Sequence, residues 1–150
     1  MLTLVDAEMV SRLSRVVGRL ARRLNAEATD AGLTPSQASV LALIARHGPL
    51  SIAELTQLEG LNPTMLSRVI GKLDDGGLIV RTPDPDDARS AWVECTPEGR
   101  RIHQLIRESR AATVSACVAR LPQDQADALA GALPALEALA SELRAQARSI

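Results

Sequence analysis

The stretch that most constrains the fold is Asn62-Pro63-Thr64-Met65-Leu66-Ser67-Arg68-Val69-Ile70-Gly71-Lys72-Leu73. Leu66, Val69, Ile70 and Leu73 recur at i, i+3, i+4 and i+7, the spacing of one apolar helix face. Thr64, Ser67, Arg68 and Lys72 fall on the opposite face, with Gly71 among them. Asn62 suits the cap, because its side-chain oxygen accepts a free amide of the first turn. Pro63 suits the first helical position, where no N–H is needed. Gly76-Gly77 stops the helix, since a left-handed residue costs glycine little.

The residues on either side complete a larger motif. Ser51-Ile52-Ala53-Glu54 is a capping box, in which the Ser oxygen and the Glu carboxylate each take a backbone amide. It predicts a short helix presenting Ile52 and Leu55 inward. Gln57 to Leu61 makes the turn, with Gly60 free to adopt positive φ. Leu78 to Thr82 reads as a strand and Ser90 to Cys95 as its partner, both rich in residues that suit a pleated surface. Pro83 to Arg89 is too polar and proline-rich to pair and should project as a loop. Helix, turn, helix and hairpin in this order make a winged helix-turn-helix over residues 35–96, whose second helix would enter a DNA groove.

The remainder of the chain is expected to be helical. Leu4 to Ala28 carries an apolar stripe of Met9, Leu13, Val16, Val17, Leu20 and Leu24. A second stripe, Glu8, Arg12, Arg15, Arg19 and Arg22, reads as a solvated face. Thr34-Pro35-Ser36-Gln37 starts the next helix, which is apolar on all sides from Ala38 to Ala45 except at Ser39 and so should be buried between others. Thr96-Pro97-Glu98-Gly99 starts another, running to about Arg120 with Ile102, Leu105, Ile106, Thr113, Ala116 and Cys117 turned inward. Pro122 opens the last helix, where Leu129, Leu133, Leu136, Ala140 and Leu143 keep an a/d-like spacing. Gly131 and Pro134 predict a kink or break near residues 131–133.

Composition narrows the partners. The 150 residues are 46% hydrophobic, with one Trp and no Phe or Tyr, so the core must be aliphatic and helix on helix. The fold class is mainly α with a small β-hairpin wing. No run approaches the roughly 20 apolar residues of a membrane span. The first ten residues lack a signal-peptide pattern, which points to a soluble, cytoplasmic protein with no membrane partner. Net charge is −1. Residues 35–100 hold six basic against nine acidic side chains, so affinity for phosphates must come from the few cations that face them. Specific, salt-sensitive binding with weak non-specific affinity is expected. The first and last helices carry more Leu, Val and Ala than a small winged domain covers. Residues 1–34 and 97–150 are therefore expected to form a dimerisation region.

The pattern resembles the MarR family of bacterial transcriptional regulators over essentially the whole chain. The most specific residues are Leu66 to Leu73, Gly77-Leu78-Ile79, Asp87-Ala88-Arg89-Ser90 and Thr96-Pro97-Glu98-Gly99. They look like the family's recognition helix, the start of its wing, the wing Asp-x-Arg and the wing's exit. Two departures are Cys95, where the family usually has Leu, and the acidic wing base of Asp84 and Asp86, expected to weaken wing docking. The resemblance implies a homodimer on a pseudo-palindromic operator of double-stranded DNA, usually as a repressor. Carried over by position, Pro63, Thr64, Ser67 and Arg68 belong to the groove-reading surface and Lys72 to a phosphate contact. Arg89 would enter the minor groove, oriented by Asp87, with Ser90 beside it.

The resemblance also implies a small-molecule effector, often an aromatic anion, held between the dimer helices and the winged segment. Without Tyr or Phe such a pocket would be aliphatic. His47 and the first-helix arginines are candidates to line it, though His47 equally suits the C-terminus of its own helix. No cofactor is expected. Catalysis finds no support: His47 and His103 stand alone, without a Cys or Ser nucleophile at motif spacing. Asp84, Asp86 and Asp87 resemble half a calcium loop, without its Gly at the sixth position or its Glu at the twelfth. Cys117, on an apolar face, should be a buried inert thiol, and Cys95, in the wing strand, the more reactive one. The alternatives from other classes are a winged protein-interaction module that does not read DNA and a thiol sensor acting through Cys95.

Overall fold

The computed structural model describes residues 6–147 and 149. Along the described residues the order is α1 (Ala7–Asp30), α2 (Pro35–His47), β1 (Leu50–Ser51), α3 (Ile52–Glu59), α4 (Pro63–Asp75), β2 (Ile79–Pro83), β3 (Ala91–Cys95), α5 (Pro97–Val118) and α6 (Gln123–Ala147). The expected start of the first helix at Leu4 lies outside the described residues. Within them α1 begins after Asp6, whose carboxylate accepts the amide of Glu8.

The helix starts follow the local chemistry of the caps. Thr34 with Gln37 and Ser51 with Glu54 form complete capping boxes, and the Asn62 side chain accepts from the Met65 amide at 2.8 Å. Each such cap is worth about 1 kcal/mol. Gly60 closes α3 at φ 73°, and Gly77 turns out of α4 at φ 72°. These positive angles let α3 and α4 be joined by a tight turn and let β2 begin directly after α4.

The main core lies between α2, α3, α4 and the sheet. Leu41, Ile44, Leu55, Leu66, Ile70, Leu73, Ile79 and Val93 are all buried there. The four apolar positions of α4 all face it, as do Val40, Leu41 and Ile44 of α2; Ala42, Leu43 and Ala45 stay half-buried, so α2 is not enclosed on all sides as its apolarity predicted. A smaller core of Ala28, Ala38 and Ile106 joins α1, α2 and α5.

Several expectations are corrected. The sheet has three strands in the order β1-β3-β2, all antiparallel, and not only the hairpin. Leu50 and Ser51 are too few to show an alternating pattern, and their strand state depends on pairing with Val93 and Trp92. Pro83 pairs with Ala91 and ends the outer strand β2, where a missing N–H is tolerated. Helix α6 is continuous through Gly131 and Pro134, so of the kink or break expected near residues 131–133 the break is absent. Leu105, Ala116 and Cys117 are exposed on α5, whereas Ile106 is buried. The burial of the two thiols is thus the reverse of that expected. Cys95 is buried, with its Sγ 3.9 Å from the Leu41 carbonyl oxygen, and burial pushes its pKa up, away from the reactive thiolate.

Candidate nucleic-acid interface

Helix α4 separates its two faces cleanly. Leu66, Val69, Ile70 and Leu73 are buried, and Pro63, Thr64, Met65, Ser67, Arg68 and Lys72 are exposed. The burial of one stripe fixes the direction of the other. Near its C-terminus, Asp74 accepts a hydrogen bond from Arg81 Nε at 3.1 Å, tying α4 to β2. Arg81 is thereby committed. Arg68, Lys72 and Arg89 take part in none of the ion pairs among the described residues, so their charges are available to an external anion.

The wing tip is ordered by its own backbone and by two aspartates. The Asp84 amide donates to the Ser90 carbonyl at 3.2 Å, and the Ser90 amide donates to the Asp87 carbonyl at 3.0 Å. Asp84 Oδ1 accepts from the Asp86 amide, and Asp87 Oδ1 accepts from the Arg89 amide at 3.0 Å. Asp87 therefore orients Arg89 through the main chain and not through its guanidinium. Asp87 and Arg89 are exposed and Ser90 is half-buried. The wing aspartates are thus turn-formers as well as charges.

At the wing's base, the Thr96 hydroxyl donates to the Gly77 carbonyl at 2.7 Å and accepts the Gly99 amide at 3.0 Å. The Thr96 amide donates to the Leu78 carbonyl. The start of α5 is thereby stitched to the start of the wing.

A second feature, a crevice of about 510 Å³, lies where α1, α2 and α5 meet. It is lined by Asn25, Ser39, Arg46, His103, Arg107 and Arg110, with Pro35, Ala38, Ala42 and Ile106. Neither His47 nor the α1 arginines are among the lining residues; His47 sits exposed in the last turn of α2. The residues that sequence reasoning missed carried one signal. His103, Arg107 and Arg110 stand at i, i+4 and i+7, on one face of α5. Burial holds the His103 pKa below the ordinary histidine value, with Arg107, Arg46 and Arg110 adding to the effect. Beside the crevice, Arg110 Nε donates to the Leu24 carbonyl at 3.1 Å. The buried Glu27 carboxylate accepts from Ser109, Thr113 and Arg23, clasping α1 to α5.

Helices α1 and α6 leave apolar side chains uncovered. On α1, Met9, Val16, Val17 and Leu20 are about half exposed, and no residue of α6 is buried among those described. Among the described residues, no helix is long and apolar enough to cross a membrane.

A buried-faced helix following a tight turn, an outward polar strip and an adjoining hairpin define a winged helix-turn-helix protein of the transcription-regulator class. Residues 33–91 match the MarR family. An uncharacterized HTH-type transcriptional regulator of Mycobacterium bovis is 31% identical over 137 residues, which cover 91% of this chain and 96% of that relative. The chain belongs to the MarR family and is an HTH-type transcription regulator. Two solved structures share the fold. The Mycobacterium tuberculosis MarR family protein RV2887 superposes with a TM-score of 0.71 at 25% identity, covering 89% of this chain and 97% of that one. NadR, solved in complex with 4-hydroxyphenylacetate, does so with a TM-score of 0.70 at 22% identity, covering 96% and 98%. The MarR family and the Mycobacterium bovis relative are transcription regulators, which are not enzymes.

Proposed function

We propose that the chain acts in the cytoplasm as a homodimeric repressor on a pseudo-palindromic operator. In this reading residues 35–96 bind DNA and residues 1–34 and 97–150 form the dimer. The observation that carries it is the exposed strip of α4, backed by a fully buried opposite face. Thr64, Ser67 and Arg68, following Pro63, read base edges or adjoining phosphates in the major groove, and Lys72 touches phosphate. Arg89 enters the minor groove from a wing tip shaped by Asp87 and Ser90. Arginine suits both tasks, through bidentate contacts to guanine and attraction to a narrow minor groove. The uncovered apolar faces of α1 and α6 supply the dimer contact, which places two groove helices on half-sites roughly 34 Å apart.

The crevice between α1, α2 and α5 is the effector site in this reading. Its position between the dimer helices and α2 supports it, as does the small molecule bound by the similarly folded NadR. Relief of repression needs a coupling of only about 1–3 kcal/mol between that site and the DNA surface.

DNase footprinting on the DNA upstream of the chain's own gene tests the proposal. Expected is a two-fold protected site that is lost with Arg89→Ala at unchanged melting temperature. Equal affinity for random duplex would defeat it, and full protection by the variant would remove Arg89 from the interface.

A further inference from the structure

The effector crevice has a charge make-up that restricts what can fill it. Arg46 from α2 and Arg107 and Arg110 from α5 share one volume of about 510 Å³ with His103, and no lining residue is Asp or Glu. None of the three arginines belongs to an ion pair among the described residues. Arg46 Nε donates to the Ala42 carbonyl and Arg110 Nε to the Leu24 carbonyl, both uncharged acceptors. Glu27 offsets part of the charge of Arg110, but its oxygens accept from Ser109, Thr113 and Arg23. The apolar lining is only Pro35, Ala38, Ala42 and Ile106, with no aromatic ring on which a ligand ring could stack.

Three guanidiniums line the one crevice, and an anion that enters gains charge-assisted hydrogen bonds from them. A monoanion leaves two of the three charges unmatched. We infer that the crevice takes a small organic dianion in preference to a lipophilic aromatic monoanion, and that His103 takes up a proton as the dianion binds. This inference rests on the effector-site reading given above.

The proton follows from the groups around the imidazole. His103 faces cations from two elements, Arg46 of α2 and Arg107 and Arg110 of α5, while α1 adds the neutral Asn25 to the lining. Without a bound anion, burial and these cations favour the neutral imidazole by lowering its pKa. A bound dianion reverses the local field and raises the pKa. Affinity is then greatest below the His103 pKa of the empty protein and declines as pH rises through that of the complex.

Isothermal titration of the full chain at neutral pH with isophthalate and with benzoate tests this, because the two differ by one carboxylate on the same ring. Runs in two buffers of different ionisation enthalpy report proton uptake. Isophthalate is expected to bind about tenfold or more tightly than benzoate, the worth of one further charge-assisted contact. Arg107→Gln should cut isophthalate affinity by about tenfold. His103→Gln should abolish the buffer dependence of the heat, with thermal melts showing each variant folded. Equal affinities that both fall with Arg107→Gln would overturn the dianion class and leave the crevice as an effector site. Absence of heat from both probes would also overturn that class. Isophthalate binding unchanged in both Arg46→Gln and Arg107→Gln would overturn the effector site itself. Buffer-independent heats in the parent protein would overturn the role of His103.

Discussion

Gly99 shows how much a single residue decides. A Cβ built on it would stand 2.0 Å from the Leu78 carbonyl oxygen, a backbone atom already accepting from the Thr96 amide. The space that the missing side chain leaves is what allows α5 to start against the base of the wing. Gly99→Ala should therefore destabilise the protein by about 1–3 kcal/mol, as overpacking does. It should also loosen the wing relative to α5. Urea denaturation measures the first effect, and amide exchange at residues 78–79 the second.

Glu27 makes a different residue-scale argument, one of charge. Hydrogen bonds from Ser109 and then Thr113 hold its carboxyl below the ordinary carboxylate value, against the opposing pull of burial, with Arg23 and Arg110 assisting. The unfolded chain therefore binds more protons in acid than the folded one. The contribution is complete above the ordinary carboxylate pKa and is lost as pH falls through the folded value. Melting temperature should fall on acidification in the parent protein, and Glu27→Gln should flatten that fall while lowering stability at neutral pH. A parallel pH dependence in the two proteins would remove Glu27 from the account.

At the scale of elements, α4 is the one whose two faces should separate in experiment. Leu73→Ala removes a fully buried side chain and should cost about 2–5 kcal/mol of stability. Ser67→Ala, on the exposed strip, should leave stability within about 0.5 kcal/mol and reduce operator affinity. Chemical denaturation and gel shift, run on both variants, check the separation. This element was fully legible from sequence because cap, period and stop all lie within fifteen consecutive residues, Asn62 to Gly76. So were the starts of α2 and α3, whose capping boxes are equally local. Strand β1 was not, because two residues become a strand only by pairing with Val93 and Trp92, far along the chain. The crevice was hidden for the same reason: packing of three helices brings Asn25, Arg46 and His103 together. The expectation of a break near residues 131–133 reflects propensity judged in isolation. Proline removes one bond to the preceding turn, and the exposed α6 accommodates that loss within a continuous helix.

The uncovered faces of α1 and α6 matter at the scale of the whole molecule, because reading a two-fold site requires two copies held at fixed spacing. The chain's slight net negative charge makes the number of DNA-facing cations countable. If each protomer of the proposed dimer presents Arg68, Lys72 and Arg89, about six cations displace counterions from the duplex. The logarithm of the operator association constant should then fall with the logarithm of salt concentration at a slope of about −5. Arg89→Ala removes one cation per protomer and should reduce the steepness by about 2. Fluorescence anisotropy over a salt series measures both. Leu20→Glu combined with Leu133→Glu places charge in the uncovered apolar faces. It should shift sedimentation from dimer to monomer and halve the slope, since each monomer would engage one half-site. A slope near −5 persisting in a protein that sediments as a monomer would mean that one copy carries all the phosphate contacts, and the symmetric arrangement would have to be abandoned.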